Sequence, residues 1–193
     1  MGLMEHVYSV MIVSAADKLN SSVLSLLPAS RYQPVRVVSS LSAAKRAWSE
    51  RSFDYIIINS PLPDDTGLTF AEDTAASPGT VVLMLLRSEV YEEVREEAVS
   101  RGVFTMAKPV SRSGMSLALD WMESARERLR LTEKKTLSFE EKMEEIRLVN
   151  RAKWILISEL KMDEPQAHRY IEKQAMDRCV TKREIAEEII ATY

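Results

Sequence analysis

Glycine and cysteine are scarce in this sequence. Five glycines in 193 residues are too few for an architecture of many tight turns, which needs positive φ repeatedly, so an all-β fold is not expected. The single cysteine, Cys179, closes no internal disulfide, and with only His6 and His168 beside it the chain is short of ligands for a structural zinc site. Long apolar runs are missing as well. The longest uncharged one, around Val81 to Leu86, falls far short of the ~20 residues that span a bilayer. Met1 to Val13 carries an acidic residue and no basic one, unlike a secretory leader. The expectation is a soluble, cytoplasmic protein with no membrane partner. No glycine cluster stands ahead of a helix to cradle phosphate, so nucleotide hydrolysis has no support. Neither histidine accompanies a serine or cysteine nucleophile at a strand end, so a hydrolytic triad has no support. An enzyme is not expected, nor a metal or cofactor.

What is present is an ordinary globular composition, 46% hydrophobic and 28% charged, with a core to bury. The length suits two small domains. The net charge of −3 is not that of a nucleic-acid binder, yet it is unevenly placed. Residues 1–110 hold ten basic and thirteen acidic side chains, whereas residues 111–193 hold sixteen of each.

The first half alternates short apolar runs with helical spacing. Val7–Val13, Val35–Val38, Tyr55–Ile58, Thr80–Leu86 and Val103–Ala107 read as strands, with helices between them such as Leu41–Ser49 and Glu89–Ser100. Strands apolar on both faces belong to a parallel sheet covered by helices on each side. The expected fold is an α/β doubly wound, five-stranded parallel sheet over residues 1–110, with any site at the carboxyl ends of the strands. From Ser111 onward the only proline is Pro165 and the only glycine Gly114, so this half is helical. Residues 111–137 read as a helical linker in which Met115, Leu119, Met122 and Leu129 form either a coiled-coil seam or one face of an amphipathic helix. Residues 138–193 read as an all-α domain of three helices. The first starts at a Ser138 cap with Glu141 in capping-box position and places Ile146, Val149, Leu156 and Leu160 on one side. The second follows Asp163, with Ala167, Tyr170, Ile171 and Ala175 inward and Met176 in packing. The third follows Thr181, with Ile185, Ala186, Ile189 and Ile190 inward.

At the strand ends stand Ser14, Ala15, Asn59 and Lys108, with Asp17, Asp64 and Asp65 as the nearby carboxylates. A magnesium site needs carboxylate oxygens, and an acyl phosphate forms only on a carboxylate; the Asn59 amide supplies neither. The stretch Asp54-Tyr55-Ile56-Ile57-Ile58-Asn59-Ser60-Pro61-Leu62-Pro63-Asp64-Asp65-Thr66-Gly67-Leu68, with Lys108-Pro109 further on, resembles the receiver domain of two-component response regulators over roughly residues 5–125. In that family an acidic pair binds magnesium, an aspartate accepts phosphate, a Thr or Ser ends the fourth strand and a lysine ends the fifth. The resemblance puts those roles on Ser14 and Ala15, on Asn59, on Leu85 or Leu86, and on Lys108. Only the lysine is kept, which implies a pseudo-receiver used for dimerisation or partner binding.

A second resemblance rests on Arg151-Ala152-Lys153-Trp154-Ile155-Leu156, on Met162 to Asp177 with its Ala167-His168-Arg169-Tyr170-Ile171 and Gln174-Ala175-Met176-Asp177, and on Arg183-Glu184-Ile185-Ala186-Glu187-Glu188-Ile189-Ile190. These segments are similar to the ANTAR module of bacterial transcription antitermination regulators. Trp154 stands where the module usually has glycine. The resemblance implies binding of paired hairpins in nascent messenger RNA leaders, and the apolar pattern of the helical linker motivates a homodimer. From Lys142 to Arg183 ten basic residues face seven acids, and the expected RNA contacts are Arg151, Lys153, Arg169, Lys173, Arg178, Lys182 and Arg183, with Trp154 or His168 as a stacking plane. The alternative is an interaction scaffold of a two-component-like pathway that no longer reads RNA.

Overall fold

The computed structural model describes residues 6–193. Five strands form one parallel sheet: β1 Tyr8–Val13, β2 Tyr32–Val38, β3 Tyr55–Asn59, β4 Val81–Arg87 and β5 Phe104–Lys108, in the order β2-β1-β3-β4-β5. The helices between them are α1 Asp17–Leu24, α2 Leu41–Glu50, α3 Leu68–Ala75 and α4 Ser88–Ser100; then come α5 Arg112–Leu160, α6 Glu164–Arg178 and α7 Lys182–Thr192. The doubly wound sheet expected from the apolar runs is therefore present, followed by helix alone.

Period-two alternation divides the central strands between two cores. Met11 and Val13, Ile56 and Ile58, and Val82, Met84 and Leu86 face α2, α3 and α4. Val10 and Ile12, Tyr55 and Ile57, and Leu83 and Leu85 face the other way, onto α1 and the start of α5. All six residues of β1 and the first six of β4 are buried. At ~1.5–3 kcal/mol for each fully buried large aliphatic side chain, these central strands carry most of the favourable energy of the sheet.

The chain divides into two compact units, Met1–Glu133 and Lys134–Tyr193. Helix α5 contributes to both, and here the structure corrects one expectation and narrows another between its two alternatives. First, Ser138 caps nothing: it lies inside a 49-residue helix. Between Met115 and Glu164 there is neither glycine nor proline. Without a breaker, a serine followed by a glutamate at the third position is simply carried along, because a cap needs a non-helical backbone at its own position. Second, Met115, Leu119 and Met122 are not a free seam. They pack into the core beneath the sheet with Ala118, and only Leu129 of the four is exposed.

In the second unit Ala152 and Leu156 of α5, Ala167, Ile171 and Ala175 of α6, and Ile185, Ala186 and Ile189 of α7 form one core. Both shorter helices begin as their sequences require. The Asp163 carboxylate accepts from Gln166 N at 2.7 Å while the Gln166 side chain accepts from Asp163 N at 3.0 Å. Thr181 and Glu184 make the same reciprocal pair. Cys179, with φ 53°, ends α6 in the left-handed conformation. Tyr170 and Met176, expected inside, are 38% and 78% exposed. On a helix Tyr170 falls to the side of the stripe at positions 167, 171 and 175 and Met176 nearly opposite it, so both side chains point outward. Ile146 and Leu160 are likewise exposed, while Val149 and Leu156 join the core.

Candidate nucleic-acid interface

Two places collect the functional candidates, one in each unit. In the first, Ser14 follows β1, Asn59 ends β3 and Lys108 ends β5, so the parallel register brings all three to the carboxyl edge of the sheet. They form a closed network. Lys108 Nζ donates to Asn59 Oδ1 at 2.9 Å and to the Ser60 carbonyl at 2.5 Å. The Asn59 amide donates to Ser14 Oγ at 3.1 Å, and Ser14 Oγ also accepts from Ala16 N at 3.1 Å. Partial burial, reinforced by the neighbouring Arg87 cation, pulls the Lys108 ammonium below the ordinary lysine range.

Asp64 and Asp65 near this edge are engaged elsewhere, while Asp17 is exposed and makes no hydrogen bond or ion pair among the described residues. Asp64 accepts from Leu41 N at 2.8 Å, Ser42 N at 3.0 Å and Ser42 Oγ at 2.9 Å, at the start of α2. Those donors, chiefly the two backbone amides, hold it down at about 2. Asp65 accepts from Gly67 N at 2.7 Å in the turn before α3, where Gly67 takes φ +81°. Leu85 and Leu86, at the position of the fourth-strand hydroxyl, are fully buried. Ala15 is exposed and brings no ligand. Among the described residues no group of three or more His, Cys, Asp or Glu side chains is placed to hold a metal, and no helix is long and apolar enough to cross a membrane.

In the second unit the seven expected RNA contacts separate into two sets. Lys153 pairs with Glu164 at 2.8 Å, Lys182 with Glu172 at 2.5 Å and Arg183 with Glu187 at 2.8 Å. Arg178 grips Glu188 through both guanidinium nitrogens, at 2.5 and 2.6 Å. The carboxylates respond in kind, each of Glu164, Glu172 and Glu188 being pulled below its ordinary range by its basic partner. Arg151, Arg169 and Lys173 make no ion pair among the described residues and are exposed. Spacing of four puts Arg169 and Lys173 one turn apart on α6, on the side away from Ala167, Ile171 and Ala175. Tyr170 and Met176 flank them on that same outward side. The exposed side of α6 thus alternates cations with an aromatic ring and a thioether. Trp154, on α5, is 70% exposed and lies one turn beyond Arg151. His168 instead faces Glu172, 3.3 Å away, with Lys182 bonded to the same carboxylate. Sequence reasoning missed Tyr170 and Met176 as surface groups; the phase of the alanines at 167 and 175 was the signal that could have found them.

Residues 138–190 match the ANTAR domain family, and those residues span the end of α5 with α6 and α7. The first unit has the receiver fold, and the chain thus joins that fold to a segment that matches the ANTAR domain family. Its similarity extends to the transcriptional regulatory protein PdtaR of Mycobacterium tuberculosis, 27% identical over 142 residues that cover 72% of this chain and 68% of PdtaR. Two solved structures share the fold alone. The signal receiver domain of an HD domain-containing protein from Pseudomonas fluorescens Pf-5 has 17% identity and TM-score 0.57, covering 67% of this chain and 96% of that one. The chemotaxis response regulator CheY4 of Vibrio cholerae has 22% identity and TM-score 0.51, covering 60% and 98%.

Proposed function

We propose that this protein is an RNA-binding transcription antitermination regulator that grips paired hairpins in nascent messenger RNA. The observation that carries this reading is the outward side of α6, where Arg169 and Lys173 lack carboxylate partners among the described residues and stand beside Tyr170 and Met176. Unpaired cations neutralise phosphates without first breaking an internal ion pair, and an exposed aromatic ring offers a plane for a splayed loop base. Arg151 and Trp154 supply the same combination on α5. Lys153, Arg178, Lys182 and Arg183 reach RNA only by exchanging a carboxylate for a phosphate, so each contributes less net binding energy.

The working unit is a homodimer. Its motivation is the stripe of Phe139, Met143 and Ile146, spaced by four and three and exposed at 64%, 37% and 53%, which has the seam spacing of a coiled coil. Two linked modules gain effective concentration over two hairpins. The receiver unit works without phosphorylation at the usual position, because Asn59 cannot form an acyl phosphate. Acetyl phosphate with magnesium is expected to leave the intact mass unchanged; a phosphorylated species would overturn that expectation.

The decisive measurement is titration of a two-hairpin leader transcript at several salt concentrations. Replacing Arg169 and Lys173 together by alanine is expected to weaken binding about ten- to hundredfold and to lower the salt slope by roughly one to two. Unchanged affinity and slope would refute this face. Failure of the parent chain to bind RNA, together with nuclease-insensitive capture of a protein partner, would favour the scaffold alternative.

A further inference from the structure

The carboxyl edge of the sheet holds more than the Ser14, Asn59 and Lys108 network. Beside it, between β4, α3 and α4, opens a cavity of about 290 Å³. Met84 and Leu86, both buried, make its floor, while Pro61, Leu68, Val90 and Val94 make its walls. Four polar residues sit on the rim: Ser60, Thr66, Arg87 and Glu93. Outside the strand ends of a doubly wound sheet is where such folds take ligands.

Charge decides what the cavity suits. Arg87 and Glu93 both line it, yet neither side chain makes an ion pair or a hydrogen bond among the described residues. Asp64 and Asp65 are committed at the start of α2 and at Gly67 N, and Glu89, in the first turn of α4, makes no ion pair with Arg87. Lys108, next to Arg87 across the β4–β5 pairing, spends its donors on Asn59 and Ser60. Arg87 and Glu93 are both exposed to water, so neither demands a partner, but a purely apolar guest would gain nothing from either. A simple anion would satisfy Arg87 but meet repulsion from Glu93, and a simple cation the reverse. The volume lies at the small end of ligand sites, which suits a molecule of about ten heavy atoms.

We propose that this cavity binds a free α-amino acid with an apolar side chain. Its carboxylate pairs with Arg87, its ammonium with Glu93, and its hydrocarbon side chain lies on Met84 and Leu86 between Val90 and Val94. Burial of the side chain supplies affinity, and the two opposite rim charges supply selection for a zwitterion.

The test uses the full chain with L-leucine and L-phenylalanine as probes, each at ~10 mM, where a millimolar ligand raises the melting temperature by mass action. Calorimetry then compares the binder with isocaproate, which lacks the ammonium, and isoamylamine, which lacks the carboxylate. At least one amino acid is expected to bind, with both comparators about tenfold weaker or more. Arg87→Ala and Glu93→Gln are each expected to cost about tenfold, and Val94→Phe, which fills the cavity, to abolish binding. Glu93→Gln changes only an exposed side chain, so it reads the site even if Val94→Phe fails to fold. The proposal is overturned if neither amino acid binds, if isocaproate binds as tightly as leucine, or if Glu93→Gln leaves affinity unchanged.

Discussion

Lys108 donates to an amide where a receiver ordinarily presents it with a carboxylate. Burial, with Arg87 adding to it and the Glu89 carboxylate only partly offsetting it, displaces the titration of this ammonium downward, because its direct hydrogen-bond acceptors are neutral. Asn59→Asp keeps the shape and gives the ammonium an opposite charge. The geometry at 2.9 Å is already that of a good ion pair, so this variant is expected to gain about 1 kcal/mol at neutral pH. The new carboxyl would titrate below its ordinary value, so the gain holds above that value and disappears as pH falls through the depressed one. Urea unfolding at pH 7 and pH 3 checks both the size and the sign. At this scale the sequence was only partly legible. Ser14, Asn59 and Lys108 could be placed from strand ends, because parallel register carries those ends to one edge. The distinction between paired and unpaired cations could not be read. Lys153–Glu164, Arg178–Glu188 and Lys182–Glu172 join different helices, and only packing sets their meeting.

Helix α5 is fastened to the first unit by more than its apolar face. Arg126 donates to Asp54 at 3.0 Å, and Asp54 also accepts from Ser9 N and Oγ. Tyr8 donates its hydroxyl to Glu127 at 2.5 Å, and Arg130 holds the same carboxylate through two nitrogens. Arg130 first, and then the Tyr8 hydroxyl, hold Glu127 down at about 2 against an ordinary 4.5. A carboxylate held low contributes stability that is complete above its ordinary value and lost as pH falls toward 2. Glu127→Gln is therefore expected to flatten the acid limb of the stability profile between pH 4.5 and about 2, with little change in slope above it. Thermal melts across that range give the answer. Elements were the most legible level, since fully apolar runs bounded by polar stretches announce buried parallel strands. The failure at Ser138 has a plain cause. Capping chemistry permits a helix to begin but does not compel one to end, and the good helix formers on either side carried the chain through.

Across the whole molecule, the burial along α5 is discontinuous. Met122 is buried in the first core and Ala152 in the second, and no residue of the helix between them is buried. From about residue 134 to residue 147 no side chain joins either core, so intrinsic propensity and surface pairs support the helix there, and an unpacked helical stretch of such length is only marginally stable in water. Backbone amides from about 133 to 147 are expected to exchange with deuterium well before those near Met122 or Leu156. If Phe139, Met143 and Ile146 meet a second copy, the same amides gain protection as protein concentration rises, whereas Phe139→Glu removes that gain. Exchange at two concentrations, alongside sedimentation, reads both. The two ends of α5 were legible as amphipathic patterns, but the gap between them was not, because periodicity alone does not say whether a partner surface is present. On the proposed dimer, then, the middle of the longest element stakes its local order on company: helix content there would measure how many copies are present, and the segment would report abundance.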